Sequence, residues 1–336
     1  MIVSAGLPTC MEGMMYPVPF ASPDDLVTIA KTAERLGYHS IWGNDHMTTQ
    51  RYVRQSFPQP PNFWEILITY AYLASETSEI KMGTGMLVVP MRRDIVVTAK
   101  QVATLDAFSK GRVLLGLGVG AYREEFEALN PDLKAHRGQM VEEGIQALRL
   151  LFTERTATFR GRYYHFEDVE MYPKPVQKPL PLYIGGNSSE AIERTARSAD
   201  GWLGAALPAE QLRQRVVRLS EIAEAAGRDP CRIDIAMQAM VLVGSTRESA
   251  VRRFRETQMY HHMMSLRKST LKDQDLSKPE DLNFIGTASQ IVEKAQMLAE
   301  AGLTHLCGLY FVGNSVEEVL DQMESFAAEV MPTVAG

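Results

Sequence analysis

Only three cysteines, Cys10, Cys231 and Cys307, occur among the 336 residues. They are far apart, odd in number and without a C-x-x-C spacing, which excludes a disulfide framework or a zinc knuckle and fits a reducing compartment, the cytoplasm. No basic start leads into an apolar core. The longest apolar run, Ile66 to Ala74, is broken by Thr69 and is too short to span a bilayer, so no membrane partner is expected. No cluster of five or more Lys and Arg residues occurs, and the formal net charge is −6, so nucleic acid is not an expected partner either. H-x-H, H-E-x-x-H, G-x-S-x-G and the Walker loop are all missing. The adjacent pair His261-His262 would chelate poorly, because neighbouring helical positions point in different directions. No metal is expected, and a metal-dependent barrel hydrolase lacks its converging ligands.

What the chain does carry is a series of apolar segments alternating with longer helical patterns, the arrangement of a parallel sheet wrapped by helices. With 45% hydrophobic and 23% charged residues the composition is globular, and the length allows a large core. Strands are predicted near Ile2 to Leu7, Ser40 to Gly43, Lys81 to Val88, Val113 to Gly118, Leu182 to Gly185, Gly201 to Gly204, Ile233 to Val243 and His305 to Phe311. Helices are predicted over Pro23 to Leu36, Ile95 to Phe108, Arg137 to Phe152 and Ser188 to Ser198, then Pro208 to Ala226, Arg247 to Tyr260, Ala288 to Ala301 and Val316 to Glu329. Eight strand-helix pairs predict an α/β fold, a (β/α)8 TIM barrel, as one domain over residues 1–336. Met11 to Phe20, Thr48 to Phe63, Thr153 to Pro181 and His261 to Phe284 exceed ordinary loops and read as insertion segments that cover a site or make an interface.

The most informative stretch is Arg112 to Tyr122, closing on Glu124-Glu125-Phe126, a buried strand ending in Gly116, Gly118 and Gly120. Glycine has no Cβ, so this ending predicts that a flat ligand lies against bare backbone. Gly116, Gly118 and Ala121 also satisfy the dinucleotide spacing G-x-G-x-x-G/A. That reading fails its context, because the acid expected about twenty residues on would fall near Arg137 to Glu143, inside a helical pattern.

Other strand ends carry further candidates. Trp42-Gly43-Asn44-Asp45-His46 places an acid and an imidazole where barrel active sites lie. The same pair reads equally as a turn cap and a packed ring. Thr84-Gly85-Met86 is either a bulge or a second backbone approach to a planar ligand. Gly185-Gly186-Asn187-Ser188 runs into a helix and suits a phosphate, though an ordinary capped helix would look the same. Met11, Met14, Met15, Met263 and Met264 either line an apolar pocket or fill gaps. Asp106 and Arg112 read as braces of the turn before the fourth strand, and Glu124 and Glu125 as solvent-facing. Arg137 reads as reaching the glycine loop or as a surface pairing.

Together these blocks resemble the bacterial luciferase-like family of flavin-dependent monooxygenases and oxidoreductases. The resemblance rests on Gly37 to Trp42 leading into Asp45-His46, Ala99-Lys100-Gln101 through Gly111-Arg112, and Gly116 to Phe126. It continues through Tyr172 to Pro179, Ile184-Gly185-Gly186, Ala199 to Trp202 and Ile285-Gly286-Thr287. It implies a dimeric barrel that binds reduced FMN, with the deazaflavin coenzyme F-420 as the alternative. His46, with Asp45, would be catalytic. Thr84, Gly85 and Met86 would lie against the ring, often through a cis peptide, with Gly118, Gly120 and Tyr122 beside it. Gly185, Gly186, Asn187 and Ser188 would take the phosphate. With FMN the expected reaction is monooxygenation of a small organic substrate with O2, supplied by a separate flavin reductase. With the deazaflavin it is hydride transfer. A noncatalytic flavin-binding protein is the rival from another class. Deazaflavin sugar dehydrogenases place a catalytic glutamate directly after the glycine loop, where this chain has Ala121, which points toward FMN. Asn44-Asp45-His46 resembles deazaflavin members at least as well.

Overall fold

The computed structural model describes residues 1–265 and 277–335. Eight parallel strands form the centre: β1 (Ile2–Leu7), β2 (Ser40–Gly43), β3 (Lys81–Thr84), β4 (Val113–Gly118), β5 (Leu182–Gly185), β6 (Gly201–Ala205), β7 (Asp234–Gln238) and β8 (His305–Phe311). Each pairs with its neighbour in sequence and β1 pairs with β8, so the sheet closes on itself. Closure removes both edges, and the interior must then be filled by side chains. Trp42, Leu114, Tyr183, Leu203, Ala236 and Cys307 do this. Two glycines make room for the two rings: a Cβ on Gly83 would stand 2.2 Å from Trp42, and one on Gly201 2.2 Å from Tyr183.

Eight helices surround the strands: α1 (Pro23–Arg35), α2 (Ile66–Glu76), α3 (Ile95–Phe108), α4 (Arg137–Thr153), α5 (Ser189–Ser198), α6 (Ala209–Ala225), α7 (Ala288–Glu300) and α8 (Val316–Glu329). Their starts are written in the sequence. Ser22 and Thr287 form capping boxes with Asp25 and Gln290, and Asp94 accepts from the amides of Val96 and Val97.

The count of eight pairs holds, with one member exchanged. The apolar run at Ile66, given no element from sequence, is α2. Ile68 and Tyr72 stand exposed on its outer face, which blurs the helical period. Arg247 to Tyr260, expected as a ring helix, instead divides into Arg247–Arg255 and Gln258–Ser265 within the insertion after β7. The predicted strand Ile233 to Val243 also divides: β7 stays in the barrel, while Met240–Val243 pairs with Phe284–Gly286 and the end of β8. Lys81 to Val88 breaks after Thr84, and Leu87–Val88 pairs with the end of β4. Two short helices, Arg51–Ser56 and Arg123–Leu129, were not expected. The insertion predicted over His261 to Phe284 lies outside the described residues at 266–276.

Arg112 braces its turn as expected, donating to the carbonyls of Ala74, Ile80 and Ser109. Asp106 reaches further, accepting from the amides of Val176 and Gln177 and so fastening the long segment before β5 to the barrel.

Candidate active site

A cavity of about 220 Å³, open to solvent, lies at the C-terminal ends of the strands. Asn44 and His46 come from the segment after β2, Ala121 and Tyr122 from that after β4, Ala205 from β6 and Gln238 from β7. Met11, Met14 and Met15 cover it from the β1 loop, and Met263 does so from the β7 insertion, as the methionine pattern suggested; Met264 is not on the wall.

His46 faces this cavity. Its Nδ1 lies 2.9 Å from Oε2 of Glu125, and the other Glu125 oxygen accepts from the amides of Met47 and Thr48. Glu125 therefore does not face solvent as expected: it is 1% exposed. The helix Arg123–Leu129 turns Glu125 and Phe126 inward together. Nδ1 also lies 3.2 Å from the side-chain amide of Gln50; the tautomer in which Nδ1 donates to the Glu125 carboxylate would leave the Nε2 lone pair to the cavity. The ring stands between Phe63 and Tyr122, at 5.9 and 5.8 Å.

Asp45 points the other way. Alternation along an extended segment sends it to the opposite side from Asn44 and His46, where it accepts from the Val88 amide at 2.9 Å and from Arg92 at 2.7 Å. Burial raises its carboxyl above the ordinary value despite the nearby guanidinium. It is not on the cavity wall.

Tyr122 is on the wall, and its hydroxyl meets Tyr52, whose own hydroxyl lies 2.9 Å from Nδ1 of His262. Burial pushes His262 down to about 4.

Of the predicted cofactor-binding residues Tyr122 is on the cavity wall, whereas Thr84, Gly85, Met86, Gly118, Gly120, Gly185, Gly186, Asn187 and Ser188 are not. The Gly85-Met86 peptide is cis. Thr84 is occupied by β4, donating to the Gly116 carbonyl at 2.7 Å and accepting from its amide. The approach that demands glycine on β4 and β5 comes from within the protein: a Cβ would stand 2.0 Å from the Thr84 carbonyl oxygen at Gly116, and 3.0 Å from Met86 at Gly118 and 2.5 Å at Gly185. Gly120 has φ +81, and its carbonyl accepts from Arg137 at 2.7 Å, so Arg137 does reach the glycine loop. Gly186, also left-handed, accepts from the Trp202 indole; Asn187 pairs with both backbone groups of Ala205, and Ser188 caps α5.

Sequence reasoning missed Gln238. Its Nε2 is buried with no hydrogen-bond partner among the described residues. It stands where a Cβ on Gly85 or Gly308 would be 2.9 or 3.1 Å away. An amide at the end of an apolar strand was the available signal. Asn44 and Tyr310, also unforeseen, are joined by a hydrogen bond from the tyrosine hydroxyl. Among the described residues no group of three or more His, Cys, Asp or Glu could hold a metal, and no helix is long and apolar enough to cross a membrane.

A family model described as luciferase-like monooxygenase matches residues 5–332. The F420-dependent glucose-6-phosphate dehydrogenase of Kineococcus radiotolerans is 30% identical over 219 residues, which are 63% of this chain and 62% of that one. The protein of the same name from Intrasporangium calvum is 26% identical over 350 residues, 94% of this chain and 96% of that one. Among solved structures, monooxygenase RslO1 from Streptomyces bottropensis aligns with TM-score 0.83 and 21% identity over 100% of both chains. An F420-dependent secondary alcohol dehydrogenase aligns with TM-score 0.80 and 18% identity, over 100% of this chain and 99% of that one. These two likenesses are of fold.

Proposed function

The chain belongs to the luciferase-like monooxygenase family and is a flavin- or deazaflavin-dependent oxidoreductase, and from that premise we propose that it exchanges a hydride between a small alcohol or carbonyl compound and the deazaflavin coenzyme F-420. The observation that carries this is the His46–Glu125 pair on the cavity wall. An alcohol must lose its hydroxyl proton as hydride leaves its carbon, and a neutral imidazole with a free Nε2 is suited to take it. Glu125 then faces the imidazolium and balances its charge. The names of the sequence relatives support the deazaflavin.

The residues present fit such a coenzyme. A tricyclic ring offers carbonyl acceptors, and Gln238 Nε2 is a buried donor in need of one. The amides at the start of α5, with Ser188 and the nearby Arg215, suit a phosphate. The bound coenzyme would supply the hydride acceptor in oxidation and the hydride donor in reduction. His46 would move the proton in either direction, and the methionine cover would keep water out.

A second reading is favoured by Ala121. It lies on the cavity wall, where the deazaflavin sugar dehydrogenases that this chain resembles carry an acid. This supports an FMN monooxygenase served by a separate reductase. Anaerobic fluorescence titration of the purified chain with coenzyme F-420 and with FMN tests both. Tighter binding of coenzyme F-420, and its reduction by an alcohol without oxygen uptake, is the expected result. Oxygen uptake coupled to product with reduced FMN would establish the second reading instead.

A further inference from the structure

We propose that the substrate of this cavity is an uncharged alcohol or carbonyl compound with an apolar body, and that phosphorylated sugars are not its substrates. The inference rests on reading the cavity as the oxidoreductase site. Its wall is built for apolar contact: Met11, Met14, Met15, Met240, Met263 and Leu282 all face it. Among the described residues no lysine or arginine does so.

A phosphate dianion surrenders strong hydration on entering such a space and needs charged donors in exchange. Three arginines near the site are engaged away from the cavity. Arg92 bridges Asp45 and Glu65, Arg137 donates to the Val119 and Gly120 carbonyls, and Arg215, the arginine assigned above to the coenzyme's phosphate, donates to the Asn187 and Gln211 carbonyls. The second imidazole of the wall supplies no cation at neutral pH, since burial holds His262 down to about 4. The charge nearest His46 is Glu125, which would repel an anion.

The neutral groups are also mostly committed. Asn283 accepts from the Met240 amide and donates to the Pro279 carbonyl, and Tyr310 donates to Asn44. What remains is Nε2 of His46, the amide of Gln238 and the side-chain amide nitrogen of Asn44. A few such uncharged groups can serve one ring and one oxygen, which leaves the rest of the substrate in contact with thioethers and methyls. Methionine adapts its shape to apolar ligands of differing length.

The test measures dissociation constants for 2-ketones from 2-butanone to 2-decanone and for glucose 6-phosphate. Calorimetry on the full chain is used, with whichever coenzyme it binds, or on the chain alone if it binds neither. Coenzyme binding is read separately by fluorescence, so failure of the oxidoreductase reading is seen on its own. Affinity should rise about fourfold per methylene, the transfer value for a buried CH2, and glucose 6-phosphate should give no heat. A series flat in length, no binding by any ketone, or saturable binding of glucose 6-phosphate would each overturn the proposal.

Discussion

In the proposed reaction His46 would meet substrate and Glu125 would position it. Replacing His46 by Ala removes the proton acceptor but leaves the cavity walls, so turnover should fall about 10²- to 10⁴-fold while the coenzyme dissociation constant stays within threefold. Turnover equal to the parent would end the catalytic role. Glu125→Gln keeps an oxygen for the Met47 and Thr48 amides but removes the charge facing Nδ1. It should lower kcat at least about tenfold with KM little changed, whereas a merely structural role would show as a lost melting transition. Asp45 separates from this pair. Asp45→Asn can still accept from Val88 but loses the Arg92 charge, so the expected loss is stability, about 3 kcal/mol by denaturant titration, with kcat retained. His46 was legible in the sequence because an imidazole after a barrel strand is a recognisable signal. Glu125 and Gln238 were not, since neither a charged residue in a polar helix nor a single amide in a strand reveals its burial.

At the scale of elements, the sequence was most informative where local chemistry is decisive. Capping residues and strand ends placed seven of the eight ring helices or their positions closely, and α2 was lost because its outer face is as apolar as its inner one. The glycines of β4 have a close neighbour within the protein that the sequence did not show. Their alternation on β4 reads as a ligand platform, yet the atoms that press on Gly116 and Gly118 belong to Thr84 and Met86. That distinction depends on which way the chain turns after β3, a tertiary fact with no local signature. The consequence is measurable. Gly116→Ala drives a methyl toward a backbone carbonyl 2.0 Å away, with no flexible side chain to yield. It should cost about 3 kcal/mol and lower the melting temperature in the chain without coenzyme. If the chain kept full stability and lost only coenzyme affinity, the glycine would be serving the ligand.

Across the whole molecule, the N-terminal end of the barrel carries a second polar cluster, away from the cavity, that links four strands. Asp234 meets Nδ1 of His305 at 2.9 Å, and Nε2 of His305 meets Ser4 at 2.7 Å, which in turn meets Ser40. His39 stands beside it, 3.0 Å from Lys81. Burial, with the Lys81 charge, pushes His39 down to about 4, the value to which burial also brings His262 at the open end. Unfolded, both imidazoles bind a proton near 6.5. Between 6.5 and about 4 the unfolded chain therefore holds more protons, and acid draws the equilibrium toward it. The stability these two groups protect is complete above 6.5 and is lost as pH falls through 4. Burial of Asp45 opposes this, because its carboxyl takes up a proton more readily when folded. The pair of histidines outweighs it through most of the window, since Asp45 begins from an ordinary value of 3.8. The melting temperature should hold steady from pH 8 to 7 and fall steadily from 6.5 toward 4. In the double variant His39→Gln, His262→Gln, the slope over that interval should shrink to less than half, with the neutral-pH melting temperature lower than the parent's. An unchanged slope would place the acid-sensitive groups elsewhere in the fold.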